Sequence, residues 1–149
     1  MGAETLKKQV AVKVVLDTNV LLMSLPKISP YRIIFDALIG QSFQLFLTNE
    51  ILFEYIEKTE EKSSVTVAQN VAKLLMTLEN VHFQVIHYQW SLIENDPDDN
   101  KFTDCAFAAN ADFLVTNDGH FKVLKTIDFP KIVTVSAIEF AEMLKQSEL

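Results

Sequence analysis

The chain has 149 residues, the size of one domain, and 49% of them are hydrophobic against 22% charged, a mix that excludes a disordered chain. It carries 20 acids against 13 bases, a net charge of -7, which excludes a protein that coats nucleic-acid duplexes with Lys and Arg. The single cysteine, Cys105, excludes an internal disulfide and a cysteine-built zinc site, so it reads as a small buried side chain in a reducing compartment.

Residues 12–16 form a short β-branched apolar run, the pattern of a strand buried on both faces. Pro26 and Pro30 frame a loop, and a helix is expected over residues 30–39, ended by Gly40. Residues 43–47 are a second strand candidate. Thr48 or Asn49 then caps a helix bearing Ile51, Leu52, Tyr55 and Ile56. The charged stretch 57–64 reads as that helix's end and a connection, and residues 65–78 as another helix. A third strand is expected over 81–86, an irregular stretch with the turn-forming Asn95-Asp96-Pro97-Asp98 over 87–98, and an alanine-rich helix over 99–110. Strands over 112–116 and 132–135, a short helix over 119–124 and a closing helix over 137–146 complete the chain. Alternating strands and helices predict an α/β three-layer sandwich around a mainly parallel five-stranded sheet. Its bounds are set at residues 13–149, with 1–12 as an N-terminal extension. Residues 1–9 are polar and no apolar run approaches the ~20 residues of a membrane span, so a cytoplasmic protein is expected.

An open α/β sheet binds ligands beyond the carboxyl ends of its strands. Asp17 directly follows the first strand, and Asp118 follows the fourth after Thr116 and Asn117. Two acids at one sheet edge repel each other unless a cation lies between them; alone, each also suits a helix N-terminus. Glu54 sits among apolar helix residues, where an acid is costly unless paired or metal-bound, but a solvated Glu paired with Lys58 fits equally well. Asp99 opens the alanine-rich helix and Asp104 lies within it. In one regular helix they stand about 140° apart and share no face, a constraint that lapses if Asp99 is the cap. Asp96 and Asp98 read as solvated turn acids. Oxygen donors favour Mg²⁺ or Mn²⁺ over zinc. His82, His87 and His120 lack metalloprotease spacing and read as structural or surface residues, with His120 set apart by its closeness to Asp118. Neither a glycine-rich phosphate loop nor a nucleophilic-serine motif is present.

Three segments carry a family likeness: Val14-Val15-Leu16-Asp17-Thr18-Asn19-Val20-Leu21, Leu52-Phe53-Glu54-Tyr55, and the stretch from Asp96-Pro97-Asp98-Asp99-Asn100-Lys101-Phe102 through Asp104-Cys105-Ala106 to Leu114-Val115-Thr116-Asn117-Asp118. Together, over about residues 13–136, they resemble a PIN domain, the nuclease fold of VapC-type toxins, and especially a bacterial subgroup of toxin components. The resemblance implies a Mg²⁺- or Mn²⁺-dependent ribonuclease, leaving 5′-phosphate and 3′-hydroxyl ends. It implies metal-site carboxylates at Asp17, Glu54 and Asp118, with Asp104 the best match to the remaining family acid and Asp99 to a further one. Asn19 and Thr116 match supporting polar residues, and an antitoxin partner and a homodimer follow from the same likeness. Lys101, beside the site, and Arg32 and Lys122 further off are the candidate phosphate contacts. The alternatives are a housekeeping RNA-processing nuclease and a PIN-like module that binds proteins without catalysis. A haloacid-dehalogenase-like phosphatase is disfavoured, because its D-x-D motif has Asn19 at the second position.

Overall fold

The computed structural model describes residues 12–147. The expected extension thus lies, save for Val12, outside the described residues, as do the last two residues of the expected domain. Five strands form one sheet in the order β3-β2-β1-β4-β5, with β1 Lys13–Leu16, β2 Gln44–Leu47, β3 Val81–Phe83, β4 Phe113–Val115 and β5 Thr134–Val135. Every neighbouring pair is parallel, so the sheet is wholly rather than mainly parallel. Register is fixed by pairs such as Leu16↔Val115 and Val14↔Leu45. Val14, Val15 and Leu16 have no exposed surface, as a central strand covered on both faces requires.

Helices α1 Thr18–Ser24 and α2 Arg32–Ile39 connect β1 to β2, and α3 Asn49–Lys62 and α4 Val65–Thr77 connect β2 to β3. Helix α5, Asn100–Ala108, carries the chain back across the sheet to β4 and packs on β1, β2 and β4. Helix α6, Ala137–Ser147, packs against α2. The two crossovers run in opposite directions along the sheet, so right-handed connections put α2 and α5 on opposite faces. That yields the three layers.

Local chemistry sets the boundaries. The Thr48 hydroxyl accepts the Ile51 N–H at 3.1 Å and Ser64 accepts the Val67 N–H at 3.1 Å, caps worth about 1 kcal/mol each. Gly40 ends α2 as expected. The third strand stops at Phe83 rather than at 86, the fifth spans only Thr134–Val135, and Gly119–Thr126 is a 3-10 helix. Two helices also depart from expectation. Helix α1 forms where only the approach to a loop was foreseen. Helix α3 continues through the charged stretch to Lys62, because Thr59 is fully buried there, its hydroxyl donates to the Tyr55 carbonyl at 2.6 Å, and α4 packs alongside. Among the described residues no helix is long and apolar enough to cross a membrane.

Candidate metal centre

Strands β1 and β4 are neighbours, and the strand order reverses between them. Asp17 and Asp118 leave the carboxyl ends of these two strands, at the switch point where doubly wound sheets bind ligands. Asp17 opens α1, but its side chain makes no capping bond. The Thr116 hydroxyl instead donates to Asp17 Oδ2 at 2.7 Å and accepts the Asp118 N–H at 3.0 Å. Thr116 therefore fixes the spacing of the two acids and leaves Asp17 Oδ1 outside that bond. Burial pushes the Asp17 carboxyl above its ordinary range, the Thr116 and Thr18 hydrogen bonds oppose this, and the charges of Asp118 and Glu54 add to it.

Glu54 reaches the same region from α3. It accepts a short hydrogen bond from the Thr18 hydroxyl, and its Oε1 lies 2.8 Å from Lys101 Nζ. Its partner is thus Lys101 rather than Lys58, which pairs with Glu61 at 3.6 Å. Tyr55, fully buried, donates its hydroxyl to the Leu16 carbonyl at 2.6 Å. That bond ties the helix bearing Glu54 to the residue preceding Asp17.

Asp99 is the N-cap residue of α5, so the regular-helix angle to Asp104 does not govern it. Burial and the neighbouring Asp96 charge push its pKa up to about 6, with the charges of Asp118 and Asp17 adding to the push and a His120 hydrogen bond opposing it. Asp17 thus feels the charges of Asp118 and Glu54, and Asp99 those of Asp118 and Asp17. Asp104 makes its side-chain hydrogen bond elsewhere. Its Oδ1 accepts the Trp90 N–H at 3.0 Å, and burial, with the charge of Glu50, raises its pKa. Four residues earlier, Asn100 grips the Ile93 N–H at 2.8 Å and the Ile93 carbonyl at 3.2 Å. Asn100 and Asp104 together hold the irregular segment before α5 against that helix. Asp104 lines a cleft of about 300 Å³ with Thr48, Glu50 and Ile86, which none of Asp17, Asp99 and Asp118 lines.

Lys101 is no free phosphate contact. Its side chain is 5% exposed, its ammonium lies 2.8 Å from both Glu54 and Asp98 carboxylates, and it donates to the Asp98 carbonyl at 2.7 Å. Burial alone would lower its pKa, but Asp98 and Glu54 outweigh that and raise it. Arg32 is likewise engaged, with Asp36 at 3.0 Å and with the Leu25 carbonyl. Lys122 is different: with Lys125 it lines a cleft of about 340 Å³ beside Thr116 and Asp118. Asn19 is exposed and lines a largely apolar cleft of about 820 Å³ with Leu22, Met23, Val67 and Asn117.

Three groups take a larger part than the sequence reading gave them, Asp96 having read as a solvated turn acid and His120 as a structural or surface residue set apart by its closeness to Asp118. Asp96 and His120 join Asp99 in a cluster whose ligand atoms lie within 4.8 Å of one another. Thr18 was seen only as a neighbour of Asp17, yet it holds Glu54 across 36 positions. The donor set here is carboxylate oxygen with one imidazole nitrogen, which suits a hard divalent ion such as Mg²⁺ or Mn²⁺. Asp17 and Asp118 share the Thr116 hydroxyl, and Asp99 and Asp118 both lie within 3.4 Å of His120 Nδ1, so these oxygen donors fit such an ion.

A family model for the PIN domain matches residues 13–120. The chain belongs to the PIN domain family. PIN domains are nucleases, which sets the coarse chemical class. Among solved structures the fold is similar to a chain of VapBC2 from Rickettsia felis bound to a DNA fragment from its promoter, with 20% identity, a TM-score of 0.59, and coverage of 84% of this chain and 98% of that one. It is also similar to a chain of DNA-bound VapBC from Salmonella typhimurium, with 14% identity, a TM-score of 0.54, and coverage of 85% and 98%. At these identities the likeness is one of fold. The search of curated proteins returned no match in sequence. The three-layer PIN architecture expected from the sequence is the one observed.

Proposed function

We propose that this PIN domain is a Mg²⁺- or Mn²⁺-dependent endoribonuclease and the toxin of a toxin–antitoxin pair. The observation that supports this chemistry is that Asp17 and Asp118 leave neighbouring strands at the switch point and share Thr116, while Asp99 meets Asp118 at His120 and Glu54 meets Thr18 beside Asp17. Asp17, Asp99 and Asp118 would hold the ion, and Glu54 stands beside them. A divalent ion supplies a Lewis acid for the phosphodiester and makes water a stronger nucleophile at neutral pH. The protein's own groups do the positioning. Thr116 orients Asp17 through Oδ2. Thr18 and Lys101 fix both oxygens of Glu54, which limits its motion. Lys122 and Lys125 flank Asp118 and suit the phosphates that follow the scissile bond. Asp104 stays outside the ion-binding set and serves to hold its loop. The antitoxin partner rests on the VapBC assemblies that share the fold.

The test gives purified protein single-stranded RNA with Mn²⁺ or Mg²⁺, beside an Asp17→Asn variant. Wild type should cleave and the variant should lose at least about a hundredfold in rate, because the ion's charge stabilisation is worth several kcal/mol. Equal cleavage by both proteins overturns the reading. For the toxin role, expression should arrest growth with wild type and not with Asp17→Asn.

A further inference from the structure

A three-residue 3-10 turn and the start of an eight-residue 3-10 helix meet at the edge of the carboxylate group. In Pro97–Asp99, three residues per turn bring Asp96 and Asp99 to the same side. The Asp96 Oδ1 accepts the Asp98 N–H at 3.2 Å, which directs Oδ2 away from the turn. In Gly119–Thr126, Asp118 Oδ1 accepts the His120 N–H at 2.9 Å and so fixes the backbone that carries the imidazole. His120 Nδ1 then lies 3.3 Å from Asp99 Oδ2, 3.4 Å from Asp118 Oδ1 and 3.7 Å from Asp96 Oδ2. Around an ion with bonds near 2.1 Å, adjacent donor atoms stand about 3 Å apart and opposite ones about 4.2 Å. Asp96, Asp99 and His120 offer one donor each within 4.8 Å, so small side-chain movements place all three on one ion. Asp99 is well covered while Asp96 and His120 are half open, so such an ion keeps water and faces solvent.

We propose that Asp96, Asp99 and His120 form a mixed nitrogen–oxygen ion subsite that shares Asp99 with the Asp17 group and takes Mn²⁺ in preference to Mg²⁺. The ion preference follows from the imidazole: a nitrogen donor adds more to binding of a first-row transition ion than of Mg²⁺, which favours oxygen. The proposal rests on the metal-dependent reading above and extends it to two residues of this chain. Without the subsite, His120 is only an ion-pair partner for its three acids.

Mn²⁺ alone is the probe, added to the full chain. Pulsed electron paramagnetic resonance reads nitrogen coupled to the bound ion, and a Mn²⁺ titration reads affinity. Wild type should show imidazole coupling. His120→Gln should lose it and bind the subsite ion at least about tenfold more weakly, while Mg²⁺ affinity changes less. Asp96→Asn should also weaken Mn²⁺, and a thermal melt verifies that each variant is folded. Bound Mn²⁺ without nitrogen coupling, or unchanged Mn²⁺ affinity in folded His120→Gln, overturns the subsite. If that Mn²⁺ is still lost in Asp17→Asn, the nuclease reading survives alone. Wild type that binds no Mn²⁺ overturns both.

Discussion

Asp99 carries the repulsion of Asp96, Asp118 and Asp17 in addition to its burial. Its carboxyl is pushed from 3.8 to about 6 by burial and by Asp96. A folded pKa above the unfolded one means that this residue's contribution to stability is fully present below about 4 and is lost as pH rises through about 6. Asp99→Asn should therefore stabilise the metal-free protein at pH 7.5. The full shift sets a ceiling near 3 kcal/mol, and solvent screening at this partly open position reduces it to about 1–2 kcal/mol. Thermal unfolding in a chelator should show a higher Tm for the variant at pH 7.5 and a narrowing gap toward pH 4.5. A gap that widens on acidification contradicts this account. Lys101 plays the opposite part. Lys101→Met leaves Glu54 partly buried without its ammonium and should cost about 1–3 kcal/mol in urea unfolding, and adding Glu54→Gln should restore part of that loss.

At the scale of elements, the site depends on how α3 docks on the end of β1. The Tyr55 hydroxyl makes that joint, and the ring lies wholly in the core. Tyr55→Phe keeps the ring and removes the bond, so it should cost about 1–2 kcal/mol, read from the urea midpoint at unchanged slope. A loss below 0.5 kcal/mol, roughly the error of such a comparison, would mean that the joint does not depend on this bond. Most elements were legible because periodicity and caps agree: residues 14–16 of β1 are apolar throughout, Thr48 starts a helix, and Gly40 stops one. Helix α1 was not, since residues 20–23 are an unbroken apolar run too short to show a helical period. The far end of α3 was not, because its charged residues acquire helical order from packing on α4. Asp17 and Asp118 were readable from strand ends. The different surroundings of Asp99 and Asp104 were not readable, because Trp90 and His120 meet them only in the folded chain.

At the scale of the whole molecule, a net charge of -7 sets how the protein meets a polyanion. Two divalent ions would add four positive charges, all at the carboxylate group. Lys101 and Arg32 are engaged in internal pairs, which leaves Lys122 and Lys125 as the lysines beside Asp118. Few released counterions mean a shallow salt dependence. Two phosphate contacts on single-stranded RNA give a slope of about −1.4 in log affinity against log salt. Fluorescence anisotropy with a non-cleavable RNA at constant Mn²⁺, between about 50 and 200 mM salt, reads that slope. Lys122→Ala should flatten it by about 0.7, and a chelator should abolish binding, since the acid group then faces phosphate uncompensated. A slope steeper than about −4 would require at least five or six basic contacts, and therefore a phosphate-binding surface elsewhere on the molecule.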